Sequence, residues 1–241
     1  LLMKSIAIFA LSLVATAAMA ASSYGTATIN ITGSSTQTAS VNGSRVENTA
    51  QSKAYANQNI ASNKGSITVS GTSTQTSIID NAMVTNKAQS AGDVAVQNLA
   101  SNVGTVSVDK SIHFTGTSNQ TANVVGATLK NEANSSSNSC SGPDCRDGAL
   151  AYQNAASNMG EVNISGISTQ VVGISGSGTT VSNTAKGANT VAVQNMSSNY
   201  GKVNISGSSS QTTSIYGASV VANLANGAFA HAYQNIASND S

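Results

Sequence analysis

The sequence predicts an all-β fold: a β-solenoid, or cross-β stack, of five repeats of about 40 residues, one repeat per coil. Three observations predict it. The pair Gln-Asn recurs five times at nearly even intervals. Inside each interval, β-branched and polar residues alternate with a period of two, the mark of a strand. Helical periodicity is missing from everything after residue 20.

Composition points the same way. Of 241 residues only 8% are charged, against about 25% in an ordinary domain. Aromatic residues make up 4%, with no Trp, so the large rings that dominate most cores are nearly absent. Ten Lys+Arg against nine Asp+Glu gives a formal charge of +1, which is not the balance of a nucleic-acid binder. Disorder usually pairs low hydrophobicity with high net charge, and here 39% of residues are hydrophobic. The polar mass is uncharged Ser, Thr, Asn, Gln and Gly, which suits stacking and self-association better than catalysis.

In chain order, the first element is a leader. Lys4 precedes an apolar run, Ile6 to Val14, that ends in the small residues Ala18-Met19-Ala20. This pattern predicts a secretory signal peptide over 1–20, cleaved after Ala20. The alternative, a membrane anchor, needs about 20 apolar residues, and this run is shorter. Residues 21–241 then form one exported repeat domain with no membrane insertion. Without Lys4 its nine positive residues balance its nine negative ones, so no net charge keeps copies apart.

The repeats follow. Gln58, Gln97, Gln153, Gln194 and Gln234 each precede an Asn, at spacings of 39, 56, 41 and 40. A second column is Gln37, Gln75, Gln120, Gln170 and Gln211, each four residues after a Gly. A third, from an N-x-A triplet, is Asn48, Asn86, Asn131, Asn183 and Asn223. Cutting after the A-S-N or S-S-N triplets gives units 22–63, 64–102, 103–158, 159–199 and 200–239. Each unit holds two or three strands: one over the alternation seen in Val162, Ile164, Gly166, Ser168 and Gln170, and one before each Gln-Asn pair. The third unit offers two candidates for the first of these, Val106/Val108 or Ile112/Phe114.

Such a unit cannot bury an apolar face alone, but stacked copies can. Each column then becomes a ladder with rungs about 4.8 Å apart. In a ladder, a Gln or Asn amide donates to its copy on one side and accepts from its copy on the other, so it can be buried fully satisfied. Stacked like charges would repel. The middle of N-x-A avoids this, reading Thr49, Lys87, Glu132, Thr184 and Leu224. The first and last units look like the middle ones and carry no cap. The chain therefore presents at its end the context that its beginning continues, which predicts head-to-tail stacking into an open fibre.

The block Ala156 to Gln170, with its S-N-x-G-x-V-N run followed by a Gly and a Gln, resembles the repeats of bacterial functional-amyloid subunits. It looks like the Fap fibril subunit in that run. It is similar to curlin in the spacing of Ser, Gln, Asn-x-Ala and Gln. The unit is nearly twice the curlin length, and the Cys pair sits mid-chain rather than near the C-terminus. The resemblance implies export through an outer-membrane pore, with a nucleator as a possible second partner, and templated growth in a biofilm matrix.

The third unit carries an extra six-residue stretch near Asp109–Phe114 and an insertion over 135–147. The insertion holds Cys140 and Cys145, expected to form a local disulfide across the Pro turn. Two Cys alone offer too few ligands for a metal. No catalytic group is expected, because His113 and His231 lie in different units and the acids form no recurring pair. No cofactor is implied. Two other classes stand beside the fibre subunit: a discrete solenoid adhesin, and an ice-binding solenoid with a flat Thr array.

Overall fold

The computed structural model describes residues 28–89, 92–104, 111–135, 148–187, 190–217, 219–227 and 230–240. Among them there is no helix, and 25 strands wind into five coils of five strands. The first coil comprises β1 (Thr28–Ile31), β2 (Ser34–Asn42), β3 (Arg45–Gln51), β4 (Ala56–Ile60) and β5 (Asn63–Lys64). The second runs through β6 (Ser66–Val69), β7 (Thr72–Asp80), β8 (Met83–Gln89), β9 (Val94–Leu99) and β10 (Asn102–Val103). The third has β11 (Ser111–Phe114), β12 (Thr117–Val125), β13 (Thr128–Asn134), β14 (Leu150–Ala155) and β15 (Asn158–Met159). The fourth has β16 (Glu161–Ile164), β17 (Ile167–Ser175), β18 (Thr180–Lys186), β19 (Val191–Met196) and β20 (Asn199–Tyr200). The fifth closes the stack with β21 (Val203–Ile205), β22 (Ser208–Ile215), β23 (Val220–Asn226), β24 (His231–Ile236) and β25 (Asn239–Asp240).

Every strand pairs in parallel with its counterparts in the neighbouring coils, giving five sheets of five strands. Register is without slip: Gln37, Gln75, Gln120, Gln170 and Gln211 stand directly over one another.

A coil has five strands, not two or three, because the chain turns sharply at two corners. The long alternation is cut at Gly33, Gly71, Gly116, Gly166 and Gly207. At the last four of these, two successive amides share one carbonyl of the coil below, as Ser165 and Gly166 both donate to Phe114 O at 2.8 Å. A Cβ on Gly71, Gly116, Gly166 or Gly207 would fall 1.9–2.2 Å from the Gly carbonyl oxygen one coil down, so stacking itself demands glycine. The second corner follows each Gln-Asn pair. Ala61, Ala100, Ala156, Ser197 and Ala237 all adopt a left-handed φ of 47–52°. The next Ser anchors that turn, as Ser101 Oγ donates to Leu99 O at 2.9 Å and to Asn154 O of the next coil at 3.1 Å.

In the third coil, Ile112 and Phe114 occupy the strand, opposite Ile67/Val69 and Val162/Ile164. The extra stretch therefore lies before Ser111, within 105–110, rather than at 109–114. Those residues, the leader 1–20 and the Cys140–Cys145 loop fall outside the described residues.

The interior has three apolar columns. Ile67, Val69, Ile112, Phe114, Val162 and Ile164 fill one, and Ile79, Val84, Val124, Leu129, Val172, Ile174 and Val181 fill the largest. The third is almost pure alanine, including Ala88, Ala95, Ala133, Ala151, Ala185 and Ala192. These small side chains bring two sheets close enough for the amides between them to cross-brace.

Charge is sparse and compensated. Lys87 stands directly below Glu132, and Lys130 contacts the Glu132 carboxylate at 2.7 Å. Burial works to raise the Glu132 carboxyl, but the Lys130 hydrogen bond and the charges of Lys130, Lys87 and Lys186 hold it below its ordinary 4.5. A depressed folded-state value means the stabilisation is complete above about pH 4.5 and fades as pH falls through the folded value. Glu132→Gln should therefore be less stable than the parent at pH 7, the gap closing in acid. Urea midpoints from pH 7 to pH 3 check this; a gap independent of pH would contradict it.

Candidate functional site

The residues that recur in every coil converge on side-chain amide ladders. Asn48 donates to Asn86 Oδ1 at 2.7 Å, Asn86 to Asn131, Asn131 to Asn183 and Asn183 to Asn223, each at 2.8 Å. The same amides reach sideways, Asn86 Nδ2 to Val96 O at 3.0 Å and Asn183 Nδ2 to Val193 O at 3.0 Å. The Gln column runs the other way. Gln234 donates to Gln194, Gln194 to Gln153, Gln153 to Gln97 and Gln97 to Gln58 Oε1, over 2.6–2.8 Å. Across the alanine layer these Gln amides also donate to carbonyls of the facing sheet, as Gln153 does to Ser182 O at 3.2 Å.

Two further ladders complete the set. Asn235, Asn195, Asn154, Asn98 and Asn59 are joined by bonds of 2.7–2.9 Å, donating towards the first coil. Asn63, Asn102, Asn158, Asn199 and Asn239 are joined over 2.7–3.1 Å, donating towards the fifth. Sequence reasoning used this last column only to mark unit boundaries; its fivefold A/S-S-N recurrence was the available signal.

The column Gln37, Gln75, Gln120, Gln170 and Gln211 is stacked but is not a continuous ladder. Only Gln75 donates to its copy, Gln37, at 3.3 Å. Gln120 and Gln170 donate instead to Ser157 O and Ser198 O, and Gln37, Gln170 and Gln211 donate to Asn63, Asn199 and Asn239. The Oε1 atoms of Gln75, Gln120 and Gln170 are buried without a hydrogen-bond partner. These glutamines brace the neighbouring Asn ladder in the plane of each coil. Recurrence reveals that a column is buried, but not which way its amides turn.

The two outermost coils leave these ladders open. On the first coil the acceptor ends are Asn48 Oδ1 and Asn63 Oδ1, and the donor ends are the amide nitrogens of Gln58 and Asn59. On the fifth coil Asn223 and Asn239 end in donors, and Gln234 and Asn235 in acceptors. Gly33 shares its column with glycines that stacking forbids to change, yet a Cβ on Gly33 meets nothing within 4 Å.

Among the described residues no group of three His, Cys, Asp or Glu could hold a metal, and no helix is long and apolar enough to cross a membrane. His113 sits in β11 opposite Thr68 and Asn163, far in sequence and column from His231. Burial, with a smaller push from Tyr200, raises the Tyr152 hydroxyl to about 12, so it stays neutral. No family model, curated protein or solved structure matches the chain.

Asn131→Leu should cost about 3 kcal/mol or more, because it leaves the buried Asn183 Oδ1 without its donor, removes one acceptor from Asn86 and takes away the bonds to Ala95 O and Tyr152 O. Gln120→Leu should cost about 1 kcal/mol or less, since it removes one long bond together with an unpaired oxygen. Denaturant midpoints of the two variants measure the difference; equal losses would contradict the assignment of ladders.

Proposed function

We propose that the protein is a subunit of a secreted, self-assembling fibre of the extracellular matrix, a functional amyloid at a bacterial cell surface. It grows by stacking the fifth coil of one copy on the first coil of the next. The observation that carries this reading is Gly33. Inside the five described coils its lack of a side chain serves no contact, whereas a coil beneath it would bring a carbonyl oxygen to the 1.9–2.2 Å found at the other four glycines.

The ladder ends support the same reading. Each acceptor on the first coil faces, in a continued stack, a donor on the fifth, and each donor an acceptor. Unpaired edge amides are a known route to association, and near-zero net charge offers no resistance. The leader pattern over 1–20 and the resemblance to functional-amyloid repeats support export through an outer-membrane pore, with a nucleator as a further partner. A biofilm matrix is the setting that fits.

One observation favours a second reading, a discrete solenoid that binds ice or a surface through one face. The outward columns Thr36, Thr74, Asn119, Thr169, Ser210 and Thr38, Thr76, Thr121, Val171, Thr212 make a nearly unbroken, uncharged hydroxyl array.

Gly33→Val separates the two. It should leave the unfolding midpoint of the monomer within about 0.5 kcal/mol of the parent, since the site is open, and abolish fibre elongation. Gly166→Val should lower the stability of the fold itself by about 3 kcal/mol or more. Elongation at the parental rate by Gly33→Val would overturn the fibre reading, and a parent that stays monodisperse and inhibits ice growth would establish the second.

A further inference from the structure

One column carries charge at the ends of the stack and none in its middle. In the column of the two-residue strands, Lys64, Val103, Met159, Tyr200 and Asp240 stand over one another. A cation marks the first coil, an anion marks the fifth, and the three positions between are uncharged. The nearby column of Val94, Leu150 and Val191 ends in His231, with Tyr55 one residue before the paired Ala56 and Ala95. Lys64 Nζ donates to Tyr55 Oη at 2.7 Å and lies 5.3 Å from the centre of that ring. At the far end His231 and Tyr233 stack with ring centres 6.2 Å apart.

Resting on the self-stacking reading, we propose that copies join in unbroken register, with Asp240 of one subunit directly opposite Lys64 of the next, and that this charge pair makes the fibre polar. The register follows from the columns. A slip of one residue would turn every ladder amide and core side chain to the opposite face. In the unslipped register the other strand charges of the first coil, Arg45 and Glu47, oppose the uncharged positions of Val220 and Ala222. Lys64 and Asp240 are thus the only charges brought face to face between strands of the described residues. One rung, about 4.8 Å, separates them, a distance at which their long and short side chains meet.

Orientation follows from the same pair. Two first coils placed together would bring two Lys64 ammoniums to one junction, and two fifth coils two Asp240 carboxylates. The head-to-tail arrangement sets every column on its own continuation, so each ladder donor meets an acceptor and Lys64 meets Asp240. Tyr55 strengthens the effect, because Lys64 Nζ rests against its ring and hydroxyl and is partly shielded there from the solvent that would screen it.

The test uses charge reversal in the full chain. Lys64→Asp presents a carboxylate at both ends, and Asp240→Lys an ammonium at both. Each variant alone should need about a tenfold higher concentration to elongate, through like-charge repulsion at the junction. Mixed in equal amounts they should polymerise like the parent, the two alternating along the fibre, and the double variant should do so unaided. Unfolding midpoints equal to the parent's establish that the single variants fold; if either does not, Lys64→Gln and Asp240→Asn replace them and should remove the salt dependence of elongation. Fibres from single variants at the parental concentration, or a mixture no better than its components, would overturn the charge-paired register while leaving fibre formation intact. A parent that forms no fibres would overturn the fibre reading itself.

Discussion

A side-chain amide stacked on its own copy about 4.8 Å away both donates and accepts, so repetition satisfies it as it satisfies the backbone. The rest of the structure depends on that constraint. It allows Asn131, Asn183, Gln153 and Gln194 to be wholly buried in a protein with no Trp and few large rings. It also fixes register more tightly than packing does. An apolar side chain tolerates a shifted neighbour, whereas an amide whose partner moves by one residue is left buried and unpaired.

Repetition sets the remaining choices. A residue that stands on its copies must be small where backbones approach, which is why the sheet carrying the Asn ladder and the sheet carrying the Gln ladder meet through alanine. It must be glycine where two amides share a carbonyl at a corner. It must not carry the same charge as its neighbour, and Lys87 beneath Glu132 meets that condition. Two of the four ladders donate towards the first coil and two towards the fifth, so their dipoles oppose one another along the axis. The left-handed Ala or Ser after each Gln-Asn pair is strained for a residue with a Cβ, and in the first four coils the next Ser holds that corner by donating to the carbonyl two residues back.

Much of this was legible in the sequence because repetition writes columns directly. All-β class, five coils, the Gln58 and Asn48 columns and the Lys87–Glu132 contact all follow from spacing. What was not legible depends on the turning of a backbone or an amide. Alanine carries no signal for a left-handed φ, so the corner at Ala100 and Ala156 was invisible and with it the extra strands. The glutamines of the Gln120 column recur as strictly as those of the Gln153 column, yet they reach a neighbouring sheet rather than each other. Between Val106/Val108 and Ile112/Phe114 the pattern alone gave two equal answers, and only packing against Ile67 and Val162 selects the second.

The central claim is that one copy continues the stack of another without a break. Diffraction from aligned fibres of the purified protein tests it most directly. The account predicts a strong axial reflection near 4.8 Å together with an axial repeat of about 24 Å, the height of five rungs, because the third coil's insertion and Glu132 recur once per subunit. A soluble monodisperse protein, or fibres with the 4.8 Å reflection but a repeat unrelated to five coils, would contradict it.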